Sequence, residues 1–141
     1  MTVYKSMSAL KTAMCKALVP ATDTMAKKVM EKIDDKIMEY YEGYSPVYYE
    51  RTGAMIDVPQ KTDATGGDNT ANAEVYADLS HQYLTGNWNM PEVWDSANNY
   101  LHGGLNVGNG VAVWDEPMNE VESESRAMWK DALNSAGLNV K

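Results

Sequence analysis

With 141 residues, the chain fits one domain and is long enough to bury a hydrophobic core without disulfides, and its single cysteine, Cys15, has no partner for an intrachain bridge. A net charge of −8, from 12 basic and 20 acidic residues, argues against a nucleic-acid-binding domain, which needs clustered lysine and arginine to neutralise phosphates. No apolar run approaches the length of a membrane helix and the N-terminus has no hydrophobic signal core, so a soluble, unexported chain assembled in a reducing cytoplasm is expected.

The charge is uneven. Residues 1–36 carry seven lysines against four acids, a balance of +3, and the remainder carries five basic against sixteen acidic residues, a balance of −11. Such an asymmetry suits either a solvated lysine-rich helix face or a charge-complementary, head-to-tail contact between copies.

From Tyr4 to Val19, Met7, Leu10, Met14 and Leu18 recur three and four apart with Lys5, Lys11 and Lys16 on other faces, which predicts an amphipathic helix. Pro20 either breaks or kinks it. Thr22 or Asp23 is placed to cap a second helix through Met25, Val29, Ile33, Ile37 and Tyr40 or Tyr41, and Gly43 to end it. Between Ala54–Val58 and Ala73–Leu79, both read as antiparallel strands, the polar run PQKTDATGGDNTAN predicts a mobile loop or a long hairpin tip. Val93–Leu101 suits a short helix, and Val111–Trp114 a strand. A last helix starts at Asp115 as N-cap with Pro117 in its first turn. It buries Met118, Val121, Ser125, Met128, Ala132 and Ala136, and stops at Gly137-Leu138 in a Schellman pattern.

The fold expected is α+β: a long N-terminal amphipathic helix or helix pair, a small antiparallel β-sheet and a C-terminal helix packed on it. One domain spans 1–141, with a helical region 1–42, a β-rich region 44–114 that holds a long loop at 59–72, and the C-terminal helix at 115–137.

Catalytic motifs are absent from the sequence: there is no HExxH, CxxC, GxSxG or P-loop, and the glycines of HGGLNVGNG lack dinucleotide-binding spacing. No enzyme activity, metal or cofactor is expected. Two other readings remain. One is a small metal-dependent hydrolase using His81, His102 and acids such as Asp78 or Asp95, and the other is a carbohydrate- or peptide-binding module using Asn87, Trp88 and Trp94. The stretch EYYEGYSPVYYERTGAM concentrates five of nine tyrosines and suits a platform, a docking surface or a half-hydrated corner of the core, with Tyr40, Tyr41 and Tyr48 as its core-covering members.

Within that stretch, YSPVYYERTGAM resembles the helix-to-strand junction of tailed-phage neck and tail-completion proteins of the lambdoid tail-component family. Pro46, Thr52, Gly53 and Met55 match its proline, Thr-Gly and strand-opening positions, and the VYYER spacer points to the minor capsid protein branch. The order of Tyr83–Gly104 and Pro117–Ala136 is similar as well. The resemblance implies a non-enzymatic virion subunit, assembled in the host bacterial cytoplasm. It implies a homo-oligomeric ring, hexamer or dodecamer, joining portal-side and tail-tube proteins while DNA passes without sequence-specific binding and without a membrane. Candidate interface residues are Tyr44, Tyr48, Tyr49 and Arg51 at the junction, and Lys61, Asp63, Asp68 and Asn69 in the loop from Lys61 to Asn72.

Overall fold

A computed structural model describes residues 3–43, 53–67, 69–80, 89–102 and 110–141. Its first element, α1 (Met7–Glu42), is a single 36-residue helix that runs through Pro20, about 54 Å long at 1.5 Å per residue. Ser6 caps it, its hydroxyl accepting from the Ala9 N–H at 3.1 Å. Pro20 neither breaks the helix nor starts a second one at Thr22 or Asp23. Its ring lies on the exposed side, so the Lys16 carbonyl that loses a donor faces water, while Ala17, Ala21 and Thr22 are buried around it.

Two bodies pack on α1. The C-terminal helix α3 (Asp115–Ser135) lies antiparallel to it: Ala21 and Met25 meet Met128 and Ala132, with Val29, Val121, Leu133 and Ala136 at the margins. Further along, Lys32 reaches Glu120 at 3.5 Å and Glu124 at 3.1 Å, and Lys36 reaches Glu116 at 3.0 Å. Carboxylates raise both ammonium groups above the ordinary lysine value, Glu39 first and then Glu116 for Lys36, Glu124 first and then Glu120 for Lys32. The main core gathers Ile33, Ile37 and Tyr40 of α1 with Met55, Val58, Val111, Val113, and Met90, Trp94 and Ala97 of α2 (Met90–Asn98).

Residues 59–77 form a long antiparallel hairpin. Strand β1 (Pro59–Lys61) pairs with β4 (Val75–Ala77), and β2 (Thr65–Gly66) with β3 (Ala71–Asn72). Thr62 and Glu74 join the two pairs through the Thr62 N–H to the Glu74 carbonyl at 2.9 Å and the Glu74 N–H to the Thr62 hydroxyl at 2.8 Å. The run 59–72 is therefore a hairpin, but Ala54–Val58 is not its first strand. Ala54–Asp57 is a 3-10 helix in which Met55 and Val58, three apart, are the buried pair while Ile56 is exposed. The same α+β class results with the strand begun one element later.

Val111, Ala112 and Val113 are buried but form no strand. They lie in the core between α2 and α3, preceded by Gly110, where a Cβ would overlap the Tyr100 backbone. Asp115 lies inside α3 and does not cap it. Asn98, the last residue of α2, caps it from outside: its side-chain oxygen accepts from the Trp114 N–H at 3.0 Å and the Asp115 N–H at 2.9 Å. The far end follows the Schellman pattern, with Gly137 at φ 101°, its N–H on the Asn134 carbonyl and the Leu138 N–H on the Leu133 carbonyl, both 3.1 Å. Asn98→Ala is expected to lower the unfolding free energy by about 1–2 kcal/mol, because two backbone donors lose their acceptor. Asp115→Ala, which removes only a charge near the helix start, is expected to cost about 0.5 kcal/mol. Chemical denaturation of the two variants separates a cap supplied by α2 from one supplied by α3 itself.

Candidate interaction surface: the basic arm of α1 and its strap

Lysines are the only charged residues before Asp23, Lys5 just ahead of α1 and Lys11 and Lys16 within it. No acid occurs between residues 3 and 22, whereas Lys5, Lys11 and Lys16 are all exposed. The apolar stripe on this half is poorly covered, with Met7 80% and Met14 48% exposed, and Met7, Leu10, Met14, Cys15 and Leu18 line an open groove with Asn69 at its edge. α3 has already ended at this level of α1. The stripe is therefore the continuation of the face that Met128 and Ala132 cover at Ala21 and Met25, left open for lack of more helix.

The 59–77 hairpin straps the second flank of this arm, its tip directed toward the helix N-terminus. Asp23 is the anchor at the base. Its carboxylate receives Lys27 at 3.0 Å, Lys61 at 3.5 Å and the Ala64 N–H at 3.5 Å. The hydrogen bond from Lys27 holds the Asp23 carboxyl below its ordinary value of 3.8, helped by Ala64 and Lys61 against partial burial. Nearer the tip, Gly66 lies so close to Val19 and to the Thr70 carbonyl that a Cβ there would collide with both. At the tip, the Cys15 thiol donates to the Asn69 side-chain oxygen at 3.9 Å. Of the two expectations for this run, a mobile loop or a long hairpin tip, the structure has the hairpin, fastened at three levels of α1.

The structure brings the loop candidates together and separates their roles. Lys61 faces inward, 21% exposed and shared between Asp23 and Asp63; Asp63 is 98% exposed, and Asn69 is exposed beside the arm. Tyr44, Tyr48, Tyr49, Arg51 and Asp68 lie outside the described residues. Of the tyrosine stretch, Tyr40 and Tyr41 belong to the core corner. Tyr40 is buried and stacks on His102 with centroids 4.2 Å apart and planes 12° apart, and Tyr41 meets the edge of Tyr40 while its hydroxyl accepts from the Met55 N–H at 3.3 Å.

Residues weighed for chemistry are differently placed. His102 is 1% exposed beneath Tyr40, and Asp78 is engaged by Ser80. Among the described residues no three His, Cys, Asp or Glu side chains gather as a metal site, and His81 lies outside them. Trp94, proposed for sugar stacking, is buried against Trp114 at 6.1 Å in an edge-to-face pair, while Asn87 and Trp88 are outside the described residues. No helix among the described residues is long and apolar enough to cross a membrane.

A small α+β chain built on one long, half-covered helix is the class that this geometry defines. The YomN family model matches residues 6–135, and the chain belongs to that family, a Bacillus phage-type family; the protein is phage-related. No curated protein and no solved structure matches the chain.

Sequence reading missed Asp23 as an anchor because its partners Lys61 and Ala64 lie about forty residues away; its (i, i+4) pairing with Lys27 was the one local signal. A depressed carboxyl contributes stability that is present above its unfolded value near 3.8 and is lost as pH falls through the lower folded value. Asp23→Asn is therefore expected to destabilise the protein at neutral pH. The gap to the native chain should narrow as pH falls below about 4, which thermal melts across that range read directly.

Proposed function

We propose that the chain is a non-enzymatic structural subunit of a tailed-phage particle, of the neck or tail-completion type. In this reading several copies form a ring between the portal side and the tail tube, and DNA passes through it. The observation that carries the proposal is membership of a phage-type family over residues 6–135 by a chain whose element order resembles that of lambdoid tail components. Other features are compatible. A rigid core with a projecting helix and a strapped hairpin offers separate surfaces for neighbours. The acidic majority suits a conduit that must not hold phosphates tightly. The partners in this reading are other copies of the chain and the neck, portal-side and tail-tube proteins, with no cofactor.

Mass spectrometry of gradient-purified phage particles is expected to find the protein at a fixed ratio to the major tail-tube protein. Deleting its gene is expected to leave filled heads and tails that do not join. Its absence from particles, together with normal infectious particles after deletion, would overturn the proposal.

A further inference from the structure

We propose that a cavity between the first turns of α1 and the tip of the hairpin binds the phosphate group of an organic phosphate. The inference is independent of the virion reading above.

Ser8, Lys11, Thr12, Cys15 and Lys16 stand at i, i+3, i+4, i+7 and i+8, which places them on one face of α1. That face and Gly67 of the hairpin turn line an open cavity of about 510 Å³. Two ammonium groups, two hydroxyls and a thiol meet there with no carboxylate among them. Gly67 contributes a wall without a side chain. A Cβ on it would meet nothing within 4 Å, so the open space reaches the hairpin backbone.

The lining calls for an anion. Neither Lys11 nor Lys16 forms an ion pair with a described residue, whereas Lys27, Lys32, Lys36 and Lys61 are all engaged. The nearest acid along α1 is Asp23, seven residues beyond Lys16 and committed to Lys27 and Lys61. Thr12 donates its hydroxyl proton to the Ser8 carbonyl at 3.0 Å and Cys15 its thiol proton to Asn69 at 3.9 Å. The donors left for a ligand are the Ser8 hydroxyl and the two ammonium groups. A phosphate monoester, with a charge of about −1.5 to −2 at neutral pH and three acceptor oxygens, matches two cations and a hydroxyl better than a single carboxylate does.

The cavity also has room for more than a phosphate. It shares Lys11 and Cys15 with the neighbouring groove of about 340 Å³, whose walls are Met7, Leu10, Met14 and Leu18. A small-molecule site combines apolar walls with a few placed polar groups, and the two adjoining spaces supply one part each. The charged end of the ligand lies between Lys11 and Lys16, and its apolar body lies against the methionines, whose flexible side chains adapt to it. A nucleotide and a phospholipid both present that chemistry.

NMR titration of the full-length protein at constant ionic strength tests the site with three probes: inorganic phosphate, a nucleoside monophosphate and the nucleoside alone. Inorganic phosphate is expected to move the amides of Ser8, Lys11, Thr12, Lys16 and Gly67 with a Kd of about 1–10 mM. The monophosphate is expected to bind about tenfold more tightly and to move the Met7 and Met14 methyls as well, while the nucleoside alone moves none of them. K11Q/K16Q is expected to weaken phosphate binding about tenfold or more. Gly67→Leu, which fills the open space and changes no charge, is expected to do the same. Both variants should keep the native melting temperature within about 2 °C, as exposed substitutions do. If the monophosphate gains nothing over inorganic phosphate, but phosphatidic acid vesicles capture the native chain and not K11Q/K16Q, the phosphate site stands with a lipid headgroup as its source. Absence of saturable shifts up to about 100 mM phosphate, or binding that both variants leave unchanged, would overturn the proposal.

Discussion

The continuity of α1 through Pro20 is the constraint on which the remaining structure depends. A proline inside a helix removes one hydrogen bond and costs roughly 3 kcal/mol in an unsupported helix. Here Pro20 is on the exposed side, while Ala17, Ala21 and Thr22 are buried, Ala21 against Met128 and Ala132 of α3. Small residues at these positions let neighbouring elements approach closely. Had the helix broken at Pro20, the stripe from Met7 to Leu18 and the stripe from Ala21 to Ile37 would have turned independently, and no hairpin could span Cys15 to Asp23 in one register.

Much of this was legible because it is local and periodic. The four-residue recurrence from Met25 to Tyr40, the buried face of α3 and the Gly137-Leu138 stop are each written within a dozen residues, and the structure has all three. What sequence reading misplaced depends on partners distant in the chain. Asp115 has the residue type and position of an N-cap, yet Asn98 reaches the same N–H groups first because α2 ends beside them. Val111 to Trp114 reads as a strand, but Val111 to Val113 are buried among helices and pair with no strand among the described residues. The Met55 and Val58 pair held the readable signal, a spacing of three, inside a stretch short enough to pass for alternation.

The tyrosine stretch shows where type and role separate. Tyr40 and Tyr41 are adjacent and chemically identical, yet one gives its ring face to His102 deep in the core and the other spends its hydroxyl on the backbone of Met55. A cluster of amphipathic rings at a helix end is therefore explained, in its described part, by the need to seal a corner where helix, 3-10 turn and the segment ending at His102 converge. The exposed groups among the described candidates lie elsewhere, Asp63 near the base of the hairpin and Asn69 at its tip.

Net charge alone conceals how the charges are placed along α1. A value of −8 averages over three lysines and no acid between residues 3 and 22, and four lysines beside five acids between residues 25 and 42. Screened charges act over about 8–10 Å, far less than the length of α1, so its two halves act as separate electrostatic surfaces. The long unbroken helix thereby keeps a wholly basic stretch apart from a half in which three of the four lysines are paired with acids.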